Sequence, residues 1–73
     1  MQVKTIGQRI RYLRMKHNMT QKTLADILCV SNNTVSSWER GRTSPDITVI
    51  VQMVEIFHVS LNYLIVGEKK ITL

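Results

Sequence analysis

Only three residues, Cys29, Val30 and Ser31, separate two short stretches that each carry helix signals. The first opens on Thr20, whose hydroxyl can accept from the unpaired N–H groups at a helix start. It runs from Gln21 to Leu28, with Leu24, Ala25 and Leu28 as its apolar stripe. The second opens on Ser31, runs from Asn32 to Arg40 and stops at Gly41. A break this short makes two helices cross steeply instead of lying antiparallel, so the spacing predicts a helix-turn-helix.

The rest of the chain reads as three more helices, giving an all-α, five-helix architecture. Ile6 to His17 returns Ile10 and Leu13 to the side of Ile6, while Gln8, Arg11 and Met15 point away. Asn18, which tolerates a left-handed backbone, marks its end. Ile47 to Phe57 is rich in β-branched residues, which on propensity favours a strand. Its polar residues argue otherwise. Thr48, Gln52 and Glu55 share one helical face but would divide between the two faces of a strand. Pro45 followed by Asp46 also suits a helix start. Ser60 then caps a short fifth helix, Leu61 to Val66, closed by Gly67. Residues 1–67 are expected to form one domain and residues 68–73 a polar, basic tail.

With 73 residues the chain has room for one domain, which buries only about 60% of the surface its unfolded form exposes. A single cysteine excludes an intrachain disulfide and a thiolate metal cluster. Apolar runs such as Val49 to Val51 and Leu64 to Val66 are far shorter than the roughly 18 residues of a membrane span. With no secretory block at the N-terminus, a cytoplasmic protein is expected. His17 and His58 suit helix ends, Met15, Met19 and Met53 suit packing, and no residue set asks for a metal or a cofactor. No catalytic triad or phosphate-cradling glycine loop is present, which argues against an enzyme. The net charge of +5 favours an anionic partner such as nucleic acid.

The third helix carries the functional signal. Val35, Trp38 and Glu39 fall on one side; Asn33, Ser37 and Arg40 lie opposite, flanked by Asn32, Thr34 and Ser36. A face of short amides and hydroxyls suits base-edge reading in a major groove, whereas a merely solvated face more often carries Lys and Glu one turn apart. An Asn amide can pair bidentately with adenine, which discriminates by roughly 1–3 kcal/mol.

The stretch from Met19 to Ala25 (MTQKTLA) and that from Val30 to Gly41 (VSNNTVSSWERG) resemble the phage-repressor type of helix-turn-helix, the Cro/CI or XRE-like family. Ser44-Pro45-Asp46 and Val59-Ser60-Leu61-Asn62-Tyr63-Leu64 are similar to later landmarks of that family. The resemblance spans about Thr5 to Gly67. It implies a five-helix, lambda-repressor-like fold that binds a double-stranded DNA operator, usually as a homodimer, and controls transcription. It places Asn32, Asn33 and Ser37 at base-contacting positions, beside Ser36 and Thr34. It places Gln21, Arg40 and Arg42 on phosphates, with Lys22 and Thr43 beside them, and pairs Arg14 with Glu39 between the first and third helices. The family commonly has glycine in the turn where this chain has Cys29, so a left-handed backbone there would cost on the order of 1 kcal/mol.

A symmetric dimer would set two recognition helices about 34 Å apart, one DNA turn. The fifth helix has Leu61 and Leu64 on one side and Tyr63 and Val66 on another. Tyr63 and Val66, with Ile71 and Leu73 of the tail, are the expected interface; Ile71 and Leu73 could instead cover their own subunit. The alternative function is a module that mainly grips a regulatory protein, as an antitoxin or antirepressor does, with DNA secondary.

Overall fold

A computed structural model describes residues 4–67, which form five α-helices and no strand. The helices are α1 (Ile6–Lys16), α2 (Gln21–Leu28), α3 (Asn32–Glu39), α4 (Ile47–Phe57) and α5 (Leu61–Val66). The boundaries expected for α2, α4 and α5 are those observed. The outer ends of α1 and α3 each fall one residue earlier than expected, with His17 and Arg40 serving as caps.

Each helix starts on a side chain that accepts from its own first turn: Thr5, Thr20, Ser31, Asp46 and Ser60. At Thr5 the arrangement is reciprocal. Gln8 N–H donates to Thr5 Oγ1 at 3.1 Å, and Thr5 N–H donates to Gln8 Oε1 at 3.2 Å. Left-handed residues end three of the helices: Asn18 (φ 56°), Cys29 (φ 59°) and His58 (φ 55°). Cys29 thus adopts the conformation for which glycine is usual.

The core joins Ile10 and Leu13 of α1, Leu24, Ala25 and Leu28 of α2, and Val35 and Trp38 of α3 to Ile50, Met53, Phe57 and Leu64. The apolar stripe expected for α2 is wholly buried. So are Val35 and Trp38, which fixes the inward side of α3. In α4 the strand propensity of its β-branched residues yields to burial of Ile50, Met53 and Phe57, which recur at helical spacing. Met53 fills the core and Met19 packs at its edge, but Met15 is 51% exposed, as its place on the wheel beside Arg11 dictates and contrary to a packing role. On α5 only Leu64 is fully buried. Leu61 is 42% exposed and does not share its burial: it is the first residue of the six-residue helix, and only its partner one turn on reaches the core.

Two packing features are invisible to apolar periodicity. Arg9 is buried, and its guanidinium holds the end of α5: Nε donates to the Leu64 carbonyl at 2.8 Å and Nη2 to the Ile65 carbonyl at 2.7 Å. A cation at a helix C-terminus satisfies carbonyls that have no partner inside the helix. Gly7 lets α1 lie against the backbone of α3, since a Cβ there would fall on the Trp38 carbonyl oxygen.

Candidate nucleic-acid interface

The two helices of the motif are joined through a turn held by its own hydrogen bonds. Val30 N–H donates to the Ala25 carbonyl at 3.0 Å and closes α2 over Cys29. Ser31 then starts α3, its Oγ accepting from Thr34 N–H at 3.1 Å. The turn exposes the start of α3, so Asn32 and Asn33 both stand in solvent. Val35 and Trp38 anchor the opposite side, at 0% and 4% exposure, so α3 cannot rotate without expelling its indole from the core.

The other outward residues are more constrained. Thr34 is half-buried, and its hydroxyl lies 2.7 Å from that of Ser31 at the cap. Ser37 is half-buried, and its hydroxyl lies 2.8 Å from that of Thr43 in the following loop. Each hydroxyl pair shares one hydrogen and leaves acceptor lone pairs on the surface. Arg40 and Arg42 are exposed, beyond the last turn of α3. Gly41, at φ 76°, turns the chain there, and Arg42 N–H returns to the Ser37 carbonyl at 3.0 Å.

Behind α3, Arg14 of α1 meets Glu39 in two parallel hydrogen bonds, Nε to Oε2 at 2.7 Å and Nη2 to Oε1 at 3.0 Å. The third arm of the fork, Nη1, donates to the Met19 carbonyl at 2.8 Å and ties down the loop before α2. Gln21, the first residue of α2, adds Nε2 to Glu39 Oε1 at 3.1 Å. One carboxylate therefore fixes α1, α2 and α3 relative to one another. Gln21 keeps its carbonyl oxygen, and the first N–H groups of α2 lie beside it without partners inside the helix. Lys22 is exposed, 3.2 Å from Asp26 in a solvated pair one turn apart, too weak an attachment to withhold it from another anion.

On α5 the structure leaves Leu61, Ile65 and Val66 exposed, while Tyr63 is half-buried against the core. Ile71 and Leu73 lie outside the described residues. Among the described residues no cluster of His, Cys, Asp or Glu could hold a metal ion, and no helix is long and apolar enough to cross a membrane.

One polar residue at this surface was not singled out by the sequence. Arg11 of α1 lines an open cleft of about 410 Å³ together with Arg14, Gln21, Ser36, Glu39 and Arg40. The signal was its spacing: Arg11 lies one turn before Arg14, so a partner for Arg14 on α3 brings Arg11 to the same side.

The helix-turn-helix family model matches residues 10–64. The transcriptional regulator DicA of Escherichia coli is 35% identical over 65 residues, covering 89% of this chain and 48% of DicA. The antitoxin PezA of Streptococcus pneumoniae is 39% identical over 66 residues, covering 89% of this chain and 40% of PezA. The chain thus spans about half the length of DicA and less of PezA. Among solved structures, the c2 repressor protein of phage P22 in complex with a synthetic operator superposes with a TM-score of 0.83 at 32% identity, covering 89% of this chain and 98% of that one. With five helices in the same arrangement and the family match running from Ile10 to Leu64, this chain belongs to the helix-turn-helix family of the phage-repressor, Cro/CI type.

Proposed function

We propose that the chain binds double-stranded DNA in a sequence-specific manner through α3 and regulates transcription in the cytoplasm as a repressor, acting as a homodimer on a palindromic operator. The observation that carries this reading is the division of α3: its indole is buried while its two amides, Asn32 and Asn33, stand outward at the exposed end of the helix. Amides so placed can enter a major groove and pair with base edges. Ser37 follows Asn33 one turn on, with Thr34 and Ser36 flanking them. Gln21, Lys22, Arg40, Arg42 and Thr43 border this face and act on phosphates, which gives affinity and register rather than sequence choice. The P22 repressor, similar over nearly all of this chain, is itself an operator-bound protein.

The dimer contact is assigned to α5, where Val66 and Tyr63 are joined by the exposed Leu61 and Ile65, and to Ile71 and Leu73 of the tail. A second reading, a protein-gripping module of antitoxin type with DNA binding secondary, draws support from the likeness to PezA. Titrating duplex DNA at moderate and high salt separates the two. Binding that weakens steeply with salt is expected; no salt-sensitive binding would favour the protein-partner reading.

A further inference from the structure

Three pairs of side-chain hydroxyls lie within hydrogen-bond distance of each other among the described residues: Thr20 with Thr23, Ser31 with Thr34, and Ser37 with Thr43. The first two belong to helix caps, where Thr20 Oγ1 and Ser31 Oγ already accept from the backbone N–H three residues on. The third pair has no such occupation. Ser37 stands in the last turn of α3 and Thr43 in the loop beyond it. Among the described residues, the one side-chain hydrogen bond of either is the 2.8 Å contact between them. The backbone brings Thr43 there independently. Gly41 turns the chain at φ 76°, Gly41 N–H donates to the Trp38 carbonyl, and Arg42 N–H donates to the Ser37 carbonyl, both at 3.0 Å. Ser37 is half-buried and Thr43 exposed, so the pair leads outward from the face of α3.

Two hydroxyls hold two hydrogens. One lies between the oxygens, and one is left to donate elsewhere. If Ser37 donates to Thr43, the Thr43 hydrogen is free and the Ser37 oxygen can only accept. If Thr43 donates to Ser37, the roles reverse. In water the two arrangements interchange by rotation of the hydroxyls. A phosphate oxygen breaks the tie, because it only accepts, and a hydrogen bond to an ionised acceptor is roughly twice as strong as one between neutral groups.

We infer that Thr43 determines which bases Ser37 selects, resting on the DNA-binding reading above, which puts Thr43 on a phosphate and Ser37 on a base edge. Thr43 gives its hydrogen to the phosphate, Ser37 gives its own to Thr43, and the Ser37 oxygen is left as a pure acceptor. It therefore selects a base with an exocyclic amino group in the major groove, adenine through N6 or cytosine through N4. Guanine (N7 and O6) and thymine (O4) present only acceptors there, which leaves two oxygens facing each other with no hydrogen between them. A serine without this partner makes no such choice, since its hydroxyl rotates to donate or accept as the base requires. One hydroxyl in the loop thereby sets the base choice of another on the helix.

The test is selection of bound duplexes from a random pool by the wild type, Ser37→Ala, Thr43→Val and Thr43→Ser. Ser37→Ala locates the base pair that Ser37 reads, as the position whose preference it abolishes. On the contacted strand of that pair the wild type should prefer A or C over G or T by about tenfold, the cost of leaving one polar group unsatisfied. Thr43→Val keeps the shape of the side chain but has no hydrogen to pass on. Its preference at that pair should fall to near parity while the rest of the consensus stays. Thr43→Ser should keep the preference. Thr43→Val should also weaken every duplex by one common factor, for the phosphate bond it loses, which direct titration measures separately. A wild type that prefers G or T at that pair overturns the inference and leaves the DNA-binding reading standing. So does a Thr43→Val consensus that still rejects G and T, a Thr43→Ser that behaves as Thr43→Val, or a Ser37→Ala that changes no position. A wild type that returns no consensus overturns both. Thr43 is exposed, so Thr43→Val should melt at the wild-type temperature; if it unfolds instead, the base that the wild type prefers at the pair decides alone.

Discussion

Arg14 and Glu39 form a two-point pair, with Nε 2.7 Å from Oε2 and Nη2 3.0 Å from Oε1, and their side chains are only 12% and 3% exposed. The pair does more than join two helices. Through Gln21 Nε2 and the Met19 carbonyl it also sets where α2 begins, and so fixes the crossing of the two motif helices. Removing one member of a buried pair leaves the other charge uncompensated, at a cost of about 3–5 kcal/mol. That is a large part of the roughly 5–15 kcal/mol by which small domains are stable. Glu39→Ala should therefore come close to unfolding the chain, as read by urea denaturation. The double variant with Arg14→Ala should lose less than the sum of the two single losses. A Glu39→Ala protein with wild-type stability would show that the pair holds nothing together.

Cys29 occupies the left-handed turn between α2 and α3 at φ 59° and ψ 40°. A side chain there costs about 1–2 kcal/mol relative to a right-handed backbone, a cost glycine escapes. The thiol is exposed, so its removal sacrifices no core contact. Part of the gain is offset by the greater freedom glycine gives the unfolded chain. Cys29→Gly should stabilise by about 1 kcal/mol and raise Tm by about 4–8 °C. Cys29→Ala, which keeps a Cβ, should not. Equal behaviour of the two variants in a thermal melt would place the cost elsewhere than in the backbone.

What the sequence made legible was local. Caps at Thr20, Ser31, Asp46 and Ser60 announce themselves by residue type, and the buried stripes of α2 and α3 follow from helical spacing. The outward amides of α3 follow by subtraction once Val35 and Trp38 are assigned to the core. What stayed hidden depends on contacts between distant segments. Arg9 looks like a surface cation until α5 is laid across it, 55 residues further along. Gly7 looks like a poor helix residue until the Trp38 carbonyl is brought against it. Arg11 has no motif, and its cleft exists only because α1 packs on α3. Leu61 and Leu64 share one side of a short wheel, and only the packed structure decides that Leu64 alone is buried.

The exposed apolar residues of α5 are the proposed dimer contact. Ile65 and Val66 are 42% and 45% exposed, and neither contributes to the core. Ile65→Glu should leave the unfolding of the isolated chain almost unchanged, within about 0.5 kcal/mol for a surface site. It should also shift the monomer–dimer balance toward monomer in sedimentation experiments, since a charge buried in a symmetric contact is repeated on both partners. A wild type that sediments as a monomer at all concentrations, or a dimer indifferent to Ile65→Glu, would rule this face out as the contact.

On the proposed function, the outward amides of α3 choose the DNA sequence. Selection of bound duplexes from a random pool, carried out in parallel with the wild type and Asn33→Ala, tests it most directly. A two-fold symmetric consensus is expected for the wild type. For Asn33→Ala the same consensus is expected with preference relaxed at one base pair in each half-site, by roughly 1–3 kcal/mol of discrimination. A pool that returns no consensus, or a consensus that Asn33→Ala leaves untouched at every position, would contradict it.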